Sequence, residues 1–443
     1  MVDITFKRTI PVRYDVDVFV AGGGPAGVAA ALAAARQGRR VYLAEAHACF
    51  GGMGTVGLVP AFMQFADGEH FLAAGIGEEL YWKLVAAGGI GPNDDPNSGY
   101  KSVGIRVETL KRIYDEMMMA SDVEFSFSTQ LIGVEMRSST EVAYAVCHAK
   151  SGQFAVVSKQ FIDCTGDGDL ATWAGAPFEK GDECGNLMPG TQCSLWTDID
   201  WEKVRSSGVG PHSKLEQAFQ DKVFTIEDRH LPGIWCVGDH TGGGNIGHTF
   251  GVDSTDERSM TKALLWGRKS MQEYQRFYRE YLPGYAQMEL VATGEMGIRE
   301  SRRVLGDMQL GLQDFLDRGC FEDEIGRYAY PVDIHPSDAS VANYAKFEQE
   351  WTNLRYQPGE SYGIPYRVLT PRGLDNVLTA GRCISADRYM MSSIRVMPGC
   401  YITGQAAGVA AAVAVEEQCA TRSVAISEVQ ARLVKMGAYL PNA

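Results

Sequence analysis

Residues 15–45 read as a single folding unit, and that unit constrains the chain more than any other stretch. "VDVFVA" is a short, β-branched, apolar run of the kind buried inside parallel sheets. Gly22, Gly24 and Gly27 follow at once, with Pro25 and Ala26 opening an alanine-rich helix that stops near Gly38. "RVYLAE" is then a second strand, ending in Glu45 and followed by Ala46. Strand, glycine turn, helix and acid-terminated strand make a βαβ crossover. The glycines let backbone approach a pyrophosphate, the helix start supplies free N–H groups, and Glu45 is placed to accept hydrogen bonds from ribose hydroxyls. This spacing predicts a dinucleotide.

A second G-x-G-x-x-G lies in "TGGGNIGHT", at Gly242, Gly244 and Gly247. "GIWCVG" before it reads as a strand, but "HTFGVDST" intervenes before a helical pattern begins near Asp256. No strand with a terminal acid follows at the right distance. The expectation is a tightly turned or flexible glycine loop that shapes the active site, and one dinucleotide rather than two.

The chain has 443 residues, enough for two domains. Its net charge of −14 argues against nucleic acid or an anionic membrane surface as partner. The N-terminal twenty residues lack an apolar run before a small-residue cleavage site, and "AAGVAAAVAV" at 406–415 reads as too short and alanine-rich to cross a bilayer, so a cytoplasmic protein is expected. The ten cysteines stand singly, with no C-x-x-C, which leaves iron–sulfur, zinc-knuckle and vicinal redox chemistry without local support; no metal site is expected.

Three further stretches favour FAD over NAD. Gly51, Gly52, Met53, Gly54 and Thr55 form a second glycine loop soon after Glu45. "IDCTGDGDL" reads as a strand ending in a turn at Thr165, Gly166 and Asp167. "TAGRCISAD" and "MPGCYITGQAAG" give a strand, then a helix start whose N–H groups suit negative charge on a flavin ring; Gly404 and Gly408 make a flat packing face on that helix.

Together with "GIRESRRVLGD", "YPVDIH" and "YGIPYRVLTPRGLDNVLTAGRCISA", these motifs resemble FAD-dependent oxidoreductases of the glutathione-reductase structural class, in particular a bacterial group that also resembles part of heterodisulfide reductase. The resemblance covers most of the chain. It implies an α/β fold: a Rossmann-like FAD-binding domain with a central parallel sheet, interrupted by a mixed α+β substrate domain. The expected division is 1–62, 101–184 and 363–443 for the cofactor, 63–100 as a lid or insertion, and 185–362 for the substrate. It implies non-covalent FAD held along residues 22–27, 45 and 51–55, with further contacts at Leu131, residues 165–167, Gly381, Arg382, Gln405 and Ala406. It allows a homo-oligomer. The cluster-binding cysteines of the heterodisulfide reductase relatives are missing, which argues against an electron relay.

For chemistry beside a flavin, His248 is the first candidate for proton transfer, because imidazole titrates near neutral pH. His335, in "VDIH", is the second candidate, ranked lower because its setting, typical of the family resembled, reads as structural. Arg299, Arg302 and Arg303 fall at helical spacing and suggest a salt-bridged helix face. Arg395 directly precedes the helix expected to point at the flavin, where a guanidinium can anchor a carboxylate. Arg299 and Arg395 are the candidates for binding substrate or flavin charge. The reaction expected is hydride transfer at flavin N5 with a small polar molecule, anionic ones included. An NAD(P)H-dependent flavin monooxygenase and a non-enzymatic flavoprotein carrier or sensor are the alternatives.

Overall fold

The structure is a computed structural model that describes residues 4–5 and 7–443. Its N-terminal unit is β1 (Val12–Ala21), α1 (Pro25–Arg36) and β2 (Val41–Ala44). Two helices follow, α2 (Ile76–Ala86) and α3 (Val107–Met119). The chain then returns as β3 (Val123–Ser126), β4 (Gln130–Met136), β5 (Val142–Ala149) and β6 (Gly152–Asp163). A second sheet takes β7 (Thr191–Thr197), β8 (Gly233–Cys236), β9 (Gly242–Asn245) and β10 (Glu289–Gly297), with α4 (Glu257–Tyr281) between its last two strands. Helix α5 (Val341–Asn353), strand β11 (Val377–Thr379) and helices α6 (Met397–Glu417) and α7 (Ile426–Lys435) lie in the C-terminal third.

The main sheet runs β3-β2-β1-β6 with all neighbours parallel. β6 is long enough to serve two partners on its other edge. Its last residues pair in parallel with β11 (Val377 opposite Phe161), and its first residues pair antiparallel with β5, which continues to β4. The last six residues of β1 are buried on both faces, as the unbroken apolar run requires. This is the expected Rossmann-like α/β core.

Helix α6 is buried over almost its whole length and lies against α1. A methyl group on Gly404 would run into the carbonyl of Ala26, and one on Gly408 into that of Ala30, so both glycines are there for close helix contact. At 21 residues α6 is longer than the alanine-rich stretch suggested and has the length and composition of a membrane span. Its burial against the sheet identifies it as a core helix. A further helix, α7, follows it.

The second sheet is antiparallel, in the order β8-β9-β7-β10. It corrects the reading of "TGGGNIG", which is a strand rather than a loop. Gly242, Gly243 and Gly244 pair with β7 on one side and β8 on the other. Packing explains the composition: a Cβ on Gly242 would strike Ile234, on Gly243 Pro60, and on Gly244 Ser194 and Trp196. Glycine is normally poor in a strand, and here the neighbours leave room for nothing larger. No helix begins within the motif, so it lacks the helix start that holds a pyrophosphate. The helical pattern does begin at Asp256, whose carboxylate caps α4 by accepting from the N–H groups of Arg258 and Ser259.

The arginines of "GIRESRR" are also placed differently from the sequence expectation. β10 ends at Gly297, and Arg299 and Arg302 sit in an irregular segment before the two-residue strand Arg303–Val304. Each side chain takes its own direction: Arg302 to Asp169 at 2.6 Å, Arg303 to Glu300 at 2.6 Å, and Arg299 away from both. Buried partners, rather than i, i+4 neighbours on a helix, decide the segment.

Candidate active site

A cavity of about 810 Å³ runs from the first glycine turn to the second sheet. Its walls include Gly22, Gly24, Pro25, Ala26, Glu45, Ala46, Gly52, Met53, Leu131, Thr165, Gly166, Asp167, Gly381 and Arg382, so most of the expected cofactor residues face one space. The other expected residues stand behind the wall. Gly27 is packed on Gly22, and Gly51 on Thr55 and Tyr114. Gly54 touches Met397, while Thr55 donates its hydroxyl to the Phe50 carbonyl. Gln405 donates to the Ala74 carbonyl and accepts from the Ile76 N–H, and Ala406 is fully buried. These residues shape the cavity without lining it.

The glycine turn fits a pyrophosphate. A Cβ placed on Gly24 meets nothing within 4 Å, so this position opens onto the cavity, at the residue that caps α1. Glu45 closes the turn: Oε2 accepts from the Gly23 N–H at 2.5 Å, and Oε1 from the His47 N–H at 2.7 Å. Its buried carboxylate is thereby fixed at the end of β2 beside the cavity, where a ribose would lie.

His47, which the sequence reading did not single out, bridges the two sheets. Nδ1 lies 2.7 Å from Glu45 and Nε2 lies 3.0 Å from Glu295 on β10. Carboxylates only accept, so both ring nitrogens donate and the ring is an imidazolium. Its hydrogen bonds to Glu295 and Glu45 raise its pKa from 6.5 to about 10. Because the folded value lies above the unfolded one, the bridge stabilises the fold fully below pH 6.5 and fades as the pH rises through about 10. The stability gap between the parent and a His47→Gln variant should therefore narrow between those pH values in thermal melts. A gap that stays constant would show that the ring is not charged.

Asp163 at the end of β6 is a second residue missed from sequence. It is wholly buried, accepts from the N–H and hydroxyl of Thr165 and from the Ala171 N–H, and so folds the turn that presents Thr165, Gly166 and Asp167. Burial pushes its pKa up to about 6. Arg382 closes the same turn from the C-terminal segment: it donates to the Gly166 carbonyl at 2.9 Å, the Ile298 carbonyl at 3.0 Å and Asp167 Oδ1 at 3.0 Å.

At the far end of the cavity both predicted arginines are present. Arg299 is buried, donating to Thr191 Oγ1 at 2.7 Å and the Pro189 carbonyl at 3.1 Å. No carboxylate pairs with it among the described residues. Burial, and then the nearby Arg395, lower its pKa to about 10, which keeps it charged at neutral pH. Arg395 donates to Asp333 Oδ2 at 3.1 Å, while its buried Nε has no partner. The N-terminus of α6 lies here as well, with Val396, Met397 and Cys400 in the wall.

His248 does not line the cavity; His335 does. The two are joined, with His248 Nε2 at 2.8 Å from His335 Nδ1. Behind them His248 Nδ1 lies 3.2 Å from Asp228, and in front His335 Nε2 lies 3.2 Å from Asp333. Of these three contacts only the one between the two rings is a hydrogen bond; Asp228 and Asp333 flank the pair at ion-pair distance, and His248 Nδ1 is buried without a hydrogen-bond partner among the described residues. Burial pushes both imidazoles below their ordinary range, and for His335 the positive charge of Arg299 adds to it. His335 rather than His248 stands nearer the chemistry. The sequence did not show this, because 87 positions separate the pair.

His230 joins the pair, and one ring nitrogen from each histidine lies within 4.8 Å of the others, close enough for a metal ion. The His230 and His248 rings, however, stack at an interplanar angle of 5°. Parallel rings send their lone pairs side by side instead of to one point, and Arg299 adds positive charge.

No curated protein matches the chain in sequence. Among solved structures, a geranylgeranyl bacteriochlorophyll reductase-like protein from Thermoplasma acidophilum is similar at 13% identity over 96% of this chain and 82% of that one, with a TM-score of 0.49. The p-nitrophenol 4-monooxygenase of Pseudomonas putida is similar at 10% identity over 96% and 85%, with a TM-score of 0.43. These likenesses are weak and nothing below rests on them. The pattern of the FAD dependent oxidoreductases matches residues 17–433, nearly the whole chain, and the protein belongs to that family, with FAD as its cofactor.

Proposed function

We propose that the protein exchanges hydride between its FAD and a small anionic substrate bound by Arg299 and Arg395. One observation carries this reading: Arg299 is a buried guanidinium in the cavity wall with no carboxylate partner among the described residues. A buried charge without a directly paired counter-ion is costly, Asp333 and Asp228 offset only part of that cost from a distance, and a ligand anion lowers it further. Bound FAD supplies the hydride acceptor or donor at N5. The residues do the rest. Arg299 and Arg395 orient the anion, and Asp333 sits at the wall, 3.2 Å from His335, to hold or take the accompanying proton.

In this reading residues 1–62, 101–184 and 363–443 carry the cofactor, 185–362 shape the substrate side, and 63–100 close over it. The resemblance to the glutathione-reductase class and to part of heterodisulfide reductase supports redox chemistry without naming a substrate. Ten unpaired cysteines support a reducing compartment, in keeping with a cytoplasmic protein.

Titrating the oxidised holoprotein with acetate or oxalate should perturb the visible flavin band saturably. An Arg299→Met variant that keeps its FAD should need about 30-fold more anion, the factor expected when a buried charge pair loses one member. A flavin band indifferent to either anion would sink the proposal.

A further inference from the structure

We infer that a second chamber beside the flavin cavity binds the aromatic body of the substrate, which makes the substrate class an aromatic carboxylate rather than a small aliphatic acid. The inference rests on the preceding reading only for the carboxylate; the ring site stands on separate observations.

The chamber measures about 640 Å³, within the range of pockets that hold drug-sized molecules. It shares Met63, Asn245, Tyr330, Asp333 and His335 with the flavin cavity, so the two spaces adjoin at His335 and at Asp333, the ion-pair partner of Arg395. The substrate's ring then lies in the chamber and its carboxylate at this junction.

Helix α5 supplies the outer wall with a periodic face. Tyr344, Phe347, Glu348, Trp351 and Thr352 all line the chamber, at positions i, i+3, i+4, i+7 and i+8. That spacing marks the one face a surface helix normally buries against a core. Here the face also borders the chamber: Phe347, the only residue of α5 that is buried, packs on His230 and His335, and Trp351 packs on the core while still lining the space. Trp235 and Tyr330 face the same space from other segments. Phe347 and Trp351 stack at an interplanar angle of 20°, and Tyr330 meets Trp351 edge-on at 63°. Rings in these two orientations offer a flat guest both a stacking face and edge contacts. Arg355, over the Trp351 ring at 4.8 Å, steadies that wall by a cation–π contact.

The probe is 2-naphthoate, titrated into the oxidised FAD-loaded protein and followed both by tryptophan emission, since Trp235 and Trp351 are in the wall, and by the flavin band. Binding should saturate and be at least about tenfold tighter than acetate, because the added ring buries apolar and aromatic surface. Trp351→Ala, and independently Tyr344→Ala, should weaken naphthoate by about tenfold while leaving the acetate response of the flavin unchanged. Naphthoate no tighter than acetate, or affinity indifferent to both substitutions, would overturn the inference. Tighter binding of methyl glucopyranoside than of naphthoate in the same tryptophan titration would also overturn it and make the chamber a sugar site. If acetate leaves the flavin band unmoved and naphthoate binding still depends on Trp351, the chamber stands and the anion reading fails.

Discussion

Replacing Gly24 by alanine should leave the apoprotein nearly as stable as the parent and weaken FAD binding about 100-fold. The backbone of Gly24 has an ordinary φ of −67°, and a methyl there touches no protein atom within 4 Å. The folded chain therefore loses only what alanine costs at a helix cap, within about 1 kcal/mol. The methyl instead projects toward the cavity at the start of α1, where the pyrophosphate must come close. Gly27→Ala is the contrasting case. Its methyl would collide with the Gly22 carbonyl, so the turn itself must shift, and stability falls by about 1–3 kcal/mol together with the flavin. Urea melts of both apoproteins, beside FAD titrations, separate the two effects. A Gly24→Ala protein that binds FAD like the parent would show that the cofactor does not lie over this turn.

The second large effect is expected at Glu300, the acid beside the arginines of "GIRESRR" that the sequence already suggests as a salt-bridge partner. It is 1% exposed and accepts from Arg303 at 2.6 Å, from Arg388 at 3.1 Å and from the Met188 N–H at 2.9 Å. Glu300→Ala removes the acceptor for two inward-facing guanidiniums and a backbone donor at once. Arg303 keeps only Glu179 at 3.6 Å as a charged partner, and Arg388 only Asp182 at 4.0 Å. Stability should fall by about 3–5 kcal/mol, the usual cost of leaving a buried ion pair half broken. Glu300→Gln, which still accepts, should lose less. A change below about 1 kcal/mol in the alanine variant would mean that water satisfies both arginines. Because Glu300 adjoins Arg299, the alanine variant should also lose the acetate response of the flavin.

The N-terminal half of the fold was legible because each local signal agreed with the others. The β-branched run, the glycines, the alanine helix and Glu45 all describe one crossover, and the structure builds it with bounds within a residue or so, except that β1 starts four residues earlier, at Val12. Arg299 and Arg395 do face the cavity, although Arg299 reaches it from an irregular segment and not from the expected helix. The misreadings share a physical cause. "TGGGNIG" looks like a turn because glycine permits turns, and only its neighbours Pro60, Ile234 and Trp196 reveal that it is a tightly packed strand. Arg299, Arg302 and Arg303 look helical because their spacing is helical, while Asp169 and Glu300, set by tertiary structure, draw the latter two apart. His47 was passed over, and His335 ranked behind His248, because the partners Glu295 and His248 lie far away in sequence. Long-range pairing leaves no periodic mark in a single chain.

The most direct measurement is an anaerobic visible spectrum of the purified protein, with FAD released and counted per chain, before and after NADH or NADPH is added. If Gly22 to Gly27 hold the only dinucleotide and the glycine strand at 242–244 is structural, one FAD per chain is found and neither nicotinamide bleaches its bands. Prompt bleaching would contradict the account: the reductant would then be a nicotinamide bound elsewhere on the chain, and the anion held by Arg299 and Arg395 would not be the hydride donor.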